Sequence, residues 1–418
     1  MKLDIKNRSV RQFLVNVKIL INLMLELTFI LPFAVLCILS RMITKKYDIG
    51  IGPEPFVSHL HHQKALELYG YSVQTFVDRV YYITEKFDIR GDKVFKGPLF
   101  IISPYFLLML IIFRYRAIYI YFNGGPLGLN SSFFFRYLEP FFLKLAGVKT
   151  VVMPYGSDIQ ILSRSPNLMY KFAVSQDYPY FMKNSIKKID RQIYRWTKHA
   201  DHVISGCDWV YYMYHWNTLM ISHFSIDTDE LAPVKANESA DDSVPNNGDE
   251  ANLTILHAPN HRNIKGSRFF IQAVEELRNE GFPVELVIAE KISNQKVKEL
   301  MQEVDIIADQ LIIGWYAMFA IEGMSLEKPV LCYIDDNLEE LFITAGLLEE
   351  NELPLVKCKP SNIKSVIKDL ALNREQLTEI GKRSREFVIK HHSLEYIGGV
   401  FNKINIGMGI TPSKTSKK

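Results

Sequence analysis

The chain has 418 residues, 48% of them hydrophobic and 23% charged, with a formal net charge of +3. That length exceeds one ordinary core and predicts two domains; the charge balance argues neither for nor against a polyanionic partner, and no nucleic acid is expected. Four cysteines, at 37, 207, 332 and 358, show no paired or CxxC spacing, so neither a disulfide framework nor a zinc site is expected, and a reducing, cytoplasmic setting fits best.

Residues 1–46 form an apolar N-terminal segment. From Ile19 to Leu39 the chain is mostly apolar, interrupted by Asn22, Glu26 and Pro32. Its uncharged run, Leu27 to Leu39, is shorter than the ~20 residues that span a bilayer. No small-residue cleavage site follows, which argues against a removed signal. Arg8, Arg11 and Lys18 precede the run; Arg41, Lys45 and Lys46 follow it. Three readings stay open: a helix in the membrane interface, a single span, or a helix packed on the protein. Membrane contact is favoured, because a core helix rarely needs so continuous an apolar surface. A second run, Pro98 to Phe113, reads as a buried helix broken by Pro104.

From Tyr47 strands and helices alternate. Asp48 to Ile51 is a strand entering the turn Gly52-Pro53, and His59 to Tyr69 a helix. Strands follow at Ser72–Val77, Ala117–Phe122 and Lys149–Met153, the last ending at Tyr155-Gly156-Ser157-Asp158. A helix through Phe133 to Leu145, a strand Ala200 to Ser205 and a short helix Asp208 to Trp216 complete this series. Such alternation predicts a parallel sheet with helices on both faces, and ligands outside the carboxyl ends of its strands. The first domain is placed at 47–233. Residues 234–252 are acidic and polar and read as a linker or loop.

A second strand–helix series occupies 253–394, and 395–418 is a helix crossing back with a basic tail. Its strands are expected at Leu253–His257, Val284–Ala289, 310–313 and 330–334. Its helices are expected at Phe269–Glu280, Gln295–Val304, Ile363–Ala371 and Arg374–Lys390. The fold class is α/β, two doubly wound Rossmann-like domains facing a cleft, which is the natural site.

Two stretches carry chemistry. In His257-Ala258-Pro259-Asn260-His261-Arg262-Asn263-Ile264-Lys265-Gly266-Ser267, a strand ends, two cations stand three residues apart, and Gly266-Ser267 opens a helix. Free N–H groups at a helix start beside Arg and Lys suit a diphosphate; solvated surface charges are the competing reading. In Gly314 to Val330, Glu322 lies early in an otherwise apolar helix, where a buried carboxylate needs a polar partner. His59, His61 and His62 give no metal site: on a helix only His59 and His62 share a face and no third ligand is evident. Helix-surface or acceptor-side contact is the preferred reading for them.

The stretches Arg262-x-x-Lys265-Gly266 and Glu322-Gly323-Met324-x-x-x-Lys328-Pro329-Val330 resemble the donor half of family 4 retaining glycosyltransferases, which have the GT-B fold. Ile49-Gly50-Ile51-Gly52-Pro53, Tyr155-Gly156-Ser157-Asp158, Asp201-His202-Val203-Ile204-Ser205 and Ile226-Asp227-x-Asp229-x-Leu231-x-Pro233 extend the resemblance over residues 47 to 406. It implies a metal-independent, hexosyl-type transfer from a nucleotide-diphosphate-sugar, with no separate cofactor. Arg262 and Lys265 would hold the diphosphate, Glu322 the ribose hydroxyls, and Gly266, Gly323 and Met324 would lie along the sugar-phosphate. Gly52 would sit under the phosphates or acceptor, and Asp158 would touch sugar or acceptor or else cap its own turn.

Two positions depart from the family pattern. Where members usually carry another Glu eight positions before Glu322, this chain has Gly314, with Trp315 and Tyr316 beside it to supply stacking or a hydroxyl. Where they often carry His before Gly-x-Asp, it has Tyr155. The expected acceptor is lipid-linked or a saccharide, as in polysaccharide or glycolipid assembly at the cytoplasmic face of the cell membrane. An inactive GT-B scaffold in a membrane-bound assembly is the alternative, with a sugar-nucleotide epimerase a third reading.

Overall fold

A computed structural model describes residues 2–80, 86–128, 134–178, 186–233 and 252–413. The acidic stretch 234–251, Phe133 and the tail lysines 414, 417 and 418 lie outside the described residues. Twelve strands are described, all parallel, in two sheets. The first has the order β3-β2-β1-β4-β5-β6-β7: β1 Tyr47–Ile51, β2 Val73–Val77, β3 Ile89–Arg90, β4 Tyr115–Tyr121, β5 Lys149–Met153, β6 His202–Ser205 and β7 Thr218–Leu219. The second has the order β12-β11-β10-β8-β9: β8 Leu253–His257, β9 Val284–Ile288, β10 Ile306–Gln310, β11 Val330–Cys332 and β12 Val356–Lys357.

Both orders reverse once, between β1 and β4 and between β8 and β10. At such a reversal neighbouring connections leave on opposite faces and open a crevice at the carboxyl ends. The central strands are sealed on both faces, as fully parallel sheets require: Ile49, Ile51, Ala117 to Tyr121, Ile255, Leu256 and Ile306 to Ala308 are buried. The helix Leu394–Gly407 returns to the first sheet, where Ile397, Phe401 and Ile404 join Ile49 and Tyr119. Tyr71 and Tyr119 donate their hydroxyls to Asn402 Oδ1 at 2.8 Å and Asn405 Oδ1 at 3.1 Å.

Several local expectations change. Pro104 starts rather than breaks a helix, Ser103–Arg114, because the missing N–H falls where no intrahelical partner exists. Only a 3₁₀ turn, Cys207–Tyr211, forms where a helix to Trp216 was expected. The strand expected at 310–313 lies earlier, at Ile306–Gln310. Besides the four-residue helices Gly91–Val94 and Arg262–Lys265, three longer helices went unread: Leu168–Asp177, Ile186–His199 and Asp336–Thr344. The first and third start on side-chain caps, Asn167 and Asp335, and the second has an apolar face of Ile189, Ile193 and Trp196.

Candidate active site

The turn after β8 is built around a buried histidine. His257 Nδ1 lies 2.7 Å from the Ala308 carbonyl and Nε2 lies 2.8 Å from Ser267 Oγ. Burial pushes its pKa down to about 4, so the ring is neutral. The carbonyl only accepts, so Nδ1 carries the proton and Nε2 accepts from the Ser267 hydroxyl. Strand end and helix start are thereby tied, and the short helix Arg262–Lys265 is held between them. Gly266 has φ +75°, and a Cβ there would meet Leu311 and Ile312 at 3.2 and 3.1 Å, so only glycine turns this corner without strain.

Both predicted cations are on this turn, each with a carboxylate partner. Arg262 makes a two-point pair with Glu290, Nε and Nη2 each at 2.8 Å, and is about half exposed. Lys265 Nζ lies 2.6 Å from Asp309 Oδ1, with a fully buried carboxylate and a lysine side chain 13% exposed. This second pair bridges the crevice between β8 and β10. Neighbouring residues link the turn to the other half. Asn263 Nδ2 donates to Asp177 Oδ1 at 2.6 Å, and the Tyr178 hydroxyl meets His261 Nε2.

Glu322 is the fifth residue of the helix Met318–Ser325, past the first turn where its sequence had placed it, so the helix's own end amides do not serve it. Its partner is Lys298 Nζ at 3.5 Å, on the helix Asn294–Glu303. Burial raises its pKa, against the pull of Lys298. Gly323 brings this helix close to β10, since a Cβ would stand 2.8 Å from Ile307 Cγ1. Lys265 and the Glu322 helix thus both meet β10, the first through Asp309 near its carboxyl end and the second through Ile307. Met324 is fully buried in the core beneath, not along an open surface.

The loop from Gln310 to Ala317 explains the missing Glu. Gln310 Oε1 accepts from Ile312 and Ile313 amides at 2.8 and 2.6 Å, while its Nε2 donates to the Tyr333 carbonyl at 2.7 Å. Gly314 then has φ +100°, a conformation that penalises any side chain. A Cβ there would approach Asp335 Cβ to 3.2 Å, so another carboxylate already occupies the neighbourhood. Asp335 Oδ2 accepts from the Tyr211 hydroxyl across the halves at 3.0 Å. Trp315 and Tyr316 offer no open ring face. Both are buried, with Trp315 Nε1 donating to the Ile221 carbonyl at 3.0 Å and the Tyr316 hydroxyl 2.9 Å from His392 Nε2. Trp315 thereby ties this loop to the first half, and Tyr316 ties it to the end of the helix Glu375–His392.

On the opposite side, Gly52 follows β1, and a Cβ would come within 2.0 Å of the Phe76 carbonyl. Asp158 is buried: Oδ2 accepts from the Phe122 amide at 3.0 Å, and Oδ1 from the Tyr155 and Gly156 amides at 3.1 and 3.0 Å. The turn-capping reading of Asp158 is therefore the one its contacts fit. Burial still raises it to about 7. Beside it stands Glu54, which sequence reasoning missed; burial, then Asp158, push its pKa well above the carboxylate range. Neither Glu54 oxygen has a hydrogen-bond partner among the described residues. Gly-Pro-Glu-Pro straight after a strand was the signal that could have found it. His59 and His62 are fully buried, not on the helix surface, because they pack inward against Tyr121 and His223. Among the described residues no cluster suited to a metal ion occurs.

No family model and no curated protein matches the chain. Solved structures do. Sucrose-phosphate synthase from Thermosynechococcus elongatus matches with a TM-score of 0.53 and 12% identity, covering 87% of this chain and 99% of that one. The HepE protein of Anabaena, solved in complex with UDP-glucose, matches with a TM-score of 0.51 and 10% identity, covering 86% and 99%. The fold is GT-B. At these identities the likeness carries the architecture and leaves the chemistry to the residues.

Proposed function

We propose that this protein is a retaining glycosyltransferase of the family 4 type, moving a hexose from a nucleotide-sugar to a lipid-linked or saccharide acceptor at the cytoplasmic face of the membrane. The observation that carries the reading is the Arg262–Lys265 turn at the β8/β10 crevice, paired to β10 through Asp309, with Glu322 on the helix that follows β10. The two cations divide the work. The Arg262–Glu290 pair is solvent-screened and weakly held, so a diphosphate can displace Glu290. The ammonium of Lys265 has three donors and can keep Asp309 while meeting a phosphate oxygen. Separating Lys265 from Asp309 would strand a buried charge, so Lys265 stays in place. Such fixed positive charge stabilises a nucleotide diphosphate as it leaves, without calling on a metal. Glu322, desolvated and held by Lys298 and Asn294 of one helix, can accept from ribose hydroxyls. Gly266 and Gly323 let the turn and the Glu322 helix pack closely on β10 and the loop after it, and Gly52 does the same against Phe76 in the other half.

The scaffold reading has one observation in its favour: Gly314 leaves no side chain where the resemblance expects a carboxylate, and its backbone admits none without strain. A panel of nucleoside diphosphates and nucleotide-sugars, titrated against wild type, Arg262→Ala and Glu322→Ala, tests both. Binding by wild type that weakens at least about tenfold in each variant, with turnover when membrane extract supplies acceptor, supports the transferase. Binding without turnover supports the scaffold, and no binding to any nucleotide sinks the enzymatic reading.

A further inference from the structure

The N-terminal helix, Lys2–Leu39, has two apolar faces with different fates. Glu26, Ile30, Phe33, Cys37 and Ser40, spaced by four, three, four and three residues, turn toward the protein. Phe33 packs on Phe135 and Phe142 with ring centroids 5.5 and 4.9 Å apart. Glu26, the charge that interrupts the apolar run, accepts from the Phe134 and Phe135 amides at the start of the helix Phe135–Leu145 and from the Tyr105 hydroxyl at 3.0 Å. Its carboxylate thus caps another helix and pins this one along its length. Arg41 Nη2 donates to the Lys144 carbonyl at 3.1 Å, and Lys45 donates to the Ser40 and Ile112 carbonyls, fixing the far end.

The other face consists of Met24, Leu27, Leu31, Val35, Ile38 and Met42, again at helical spacing, and each is more than half exposed. Along one flank, between this helix and Ser103–Arg114, runs an apolar groove of about 490 Å³, lined by Leu25, Phe29, Leu36, Ile102, Phe106 and Met109. The helix Phe135–Leu145 joins this face to a basic one. Its Phe135 lines the groove, and its Arg136 and Tyr137 line a second cleft with Lys188, Arg191 and Arg195. Its Tyr137 and Phe141, and Phe134 just before it, are exposed.

The geometry points to an anionic bilayer as the partner of this face: the N-terminal helix lies in the plane of the interface, the groove takes a lipid hydrocarbon chain, and Arg136, Lys188, Arg191 and Arg195 meet phosphate headgroups. The segment Ile19–Met42 is long and apolar enough to span, but from Glu26 onward one side of it is built into the protein. A span would have to carry the helices Ser103–Arg114 and Phe135–Leu145 into hydrocarbon with it. Apolar surface beside a cationic cluster is what a negatively charged membrane surface complements. The inference deepens the membrane part of the proposed function and does not depend on the transfer chemistry.

The test uses the full chain and vesicles of phosphatidylcholine with or without phosphatidylglycerol. The four native cysteines are buried, so a nitroxide on Met24→Cys, Leu31→Cys or Ile38→Cys reports that position. One common shallow depth, about 5–10 Å below the headgroups, is expected. A spanning helix would separate Met24 and Ile38 in depth by about 20 Å. Fluorescence of Met109→Trp should be quenched by chain-brominated lipid while that of Leu372→Trp is not. Lys188→Glu with Arg191→Glu should weaken binding to mixed vesicles about tenfold or more and leave phosphatidylcholine binding unchanged; Leu31→Asp with Val35→Asp should abolish both. Graded depths across the bilayer, Met109→Trp protein bound but unquenched, or charge reversal without effect overturns the inference. Nucleotide titration without vesicles shows separately whether the transferase reading stands.

Discussion

After β5, Asp158 spends both carboxylate oxygens on three backbone amides; after β8, Arg262 and Lys265 are each paired with one side-chain carboxylate. The first arrangement is closed, since its acceptors are used by the turn that they shape. The second is open: at Arg262 a ligand anion can replace Glu290 like for like, while Lys265 keeps Asp309 and has donors to spare. Charged residues at equivalent strand ends therefore serve different ends, and what separates them is whether the partner belongs to the backbone or to another side chain. Glu54, buried beside Asp158 and Asn123 with neither oxygen in a full hydrogen bond among the described residues, belongs with the closed side by burial and with the open side by unused valence.

The comparison breaks if Lys265 is as replaceable as Arg262. Lys265→Met strands Asp309 in the interior and should cost about 3–5 kcal/mol, seen as a large fall in Tm. Adding Asp309→Leu should recover most of it. Next in size, Asp158→Ala frees three amides and should lose roughly 2–4 kcal/mol with nucleotide affinity unchanged in the protein that stays folded. If affinity falls instead, Asp158 touches ligand and the closed side is not closed. A smaller effect follows from Glu322→Gln: nucleotide affinity should drop about tenfold through loss of charge-assisted hydrogen bonds, while Tm holds or rises, because a buried charge is removed.

The pH dependence sharpens the same contrast. Burial lowers His392 to about 3 and His223 to about 4. A depressed folded value means the unfolded chain binds protons first, so this stability is present above about pH 6.5 and is lost as pH falls toward 4. Asp158, raised to about 7, works oppositely: its contribution is full below about pH 4 and fades as pH rises through 7. Tm against pH should therefore decline on the acid side, and Asp158→Asn should remove the opposing loss between about pH 4 and pH 7.

The alternation of apolar strands and amphipathic helices made the inner strands of both sheets legible in the sequence, and β5 and β8 begin and end where the pattern puts them; the edge strands β3, β7 and β12, two residues each, are too short to leave a pattern. Arg262, Lys265 and Glu322 were legible as charges in unusual company. Their partners were not: Glu290 and Asp309 lie 28 and 44 residues away and become neighbours only through the strand order. Trp315 and Tyr316 looked like ligand platforms because aromatic residues beside a glycine turn suit either role; the Trp315 bond to Ile221 exists only once the halves meet, and the Tyr316 contact with His392 only once a helix 76 residues on packs beside it. Glu26 looked like an interruption of an apolar helix until the helix that it caps came beside it.

The most direct measurement is isothermal titration of a nucleotide-sugar panel into wild type, Arg262→Ala and Asp158→Asn, each checked for an unchanged fold. The exchangeable-pair account predicts that wild type and Asp158→Asn bind alike and that Arg262→Ala binds at least about tenfold more weakly, with Tm unmoved. Equal binding by Arg262→Ala, or binding lost only in Asp158→Asn, would contradict it.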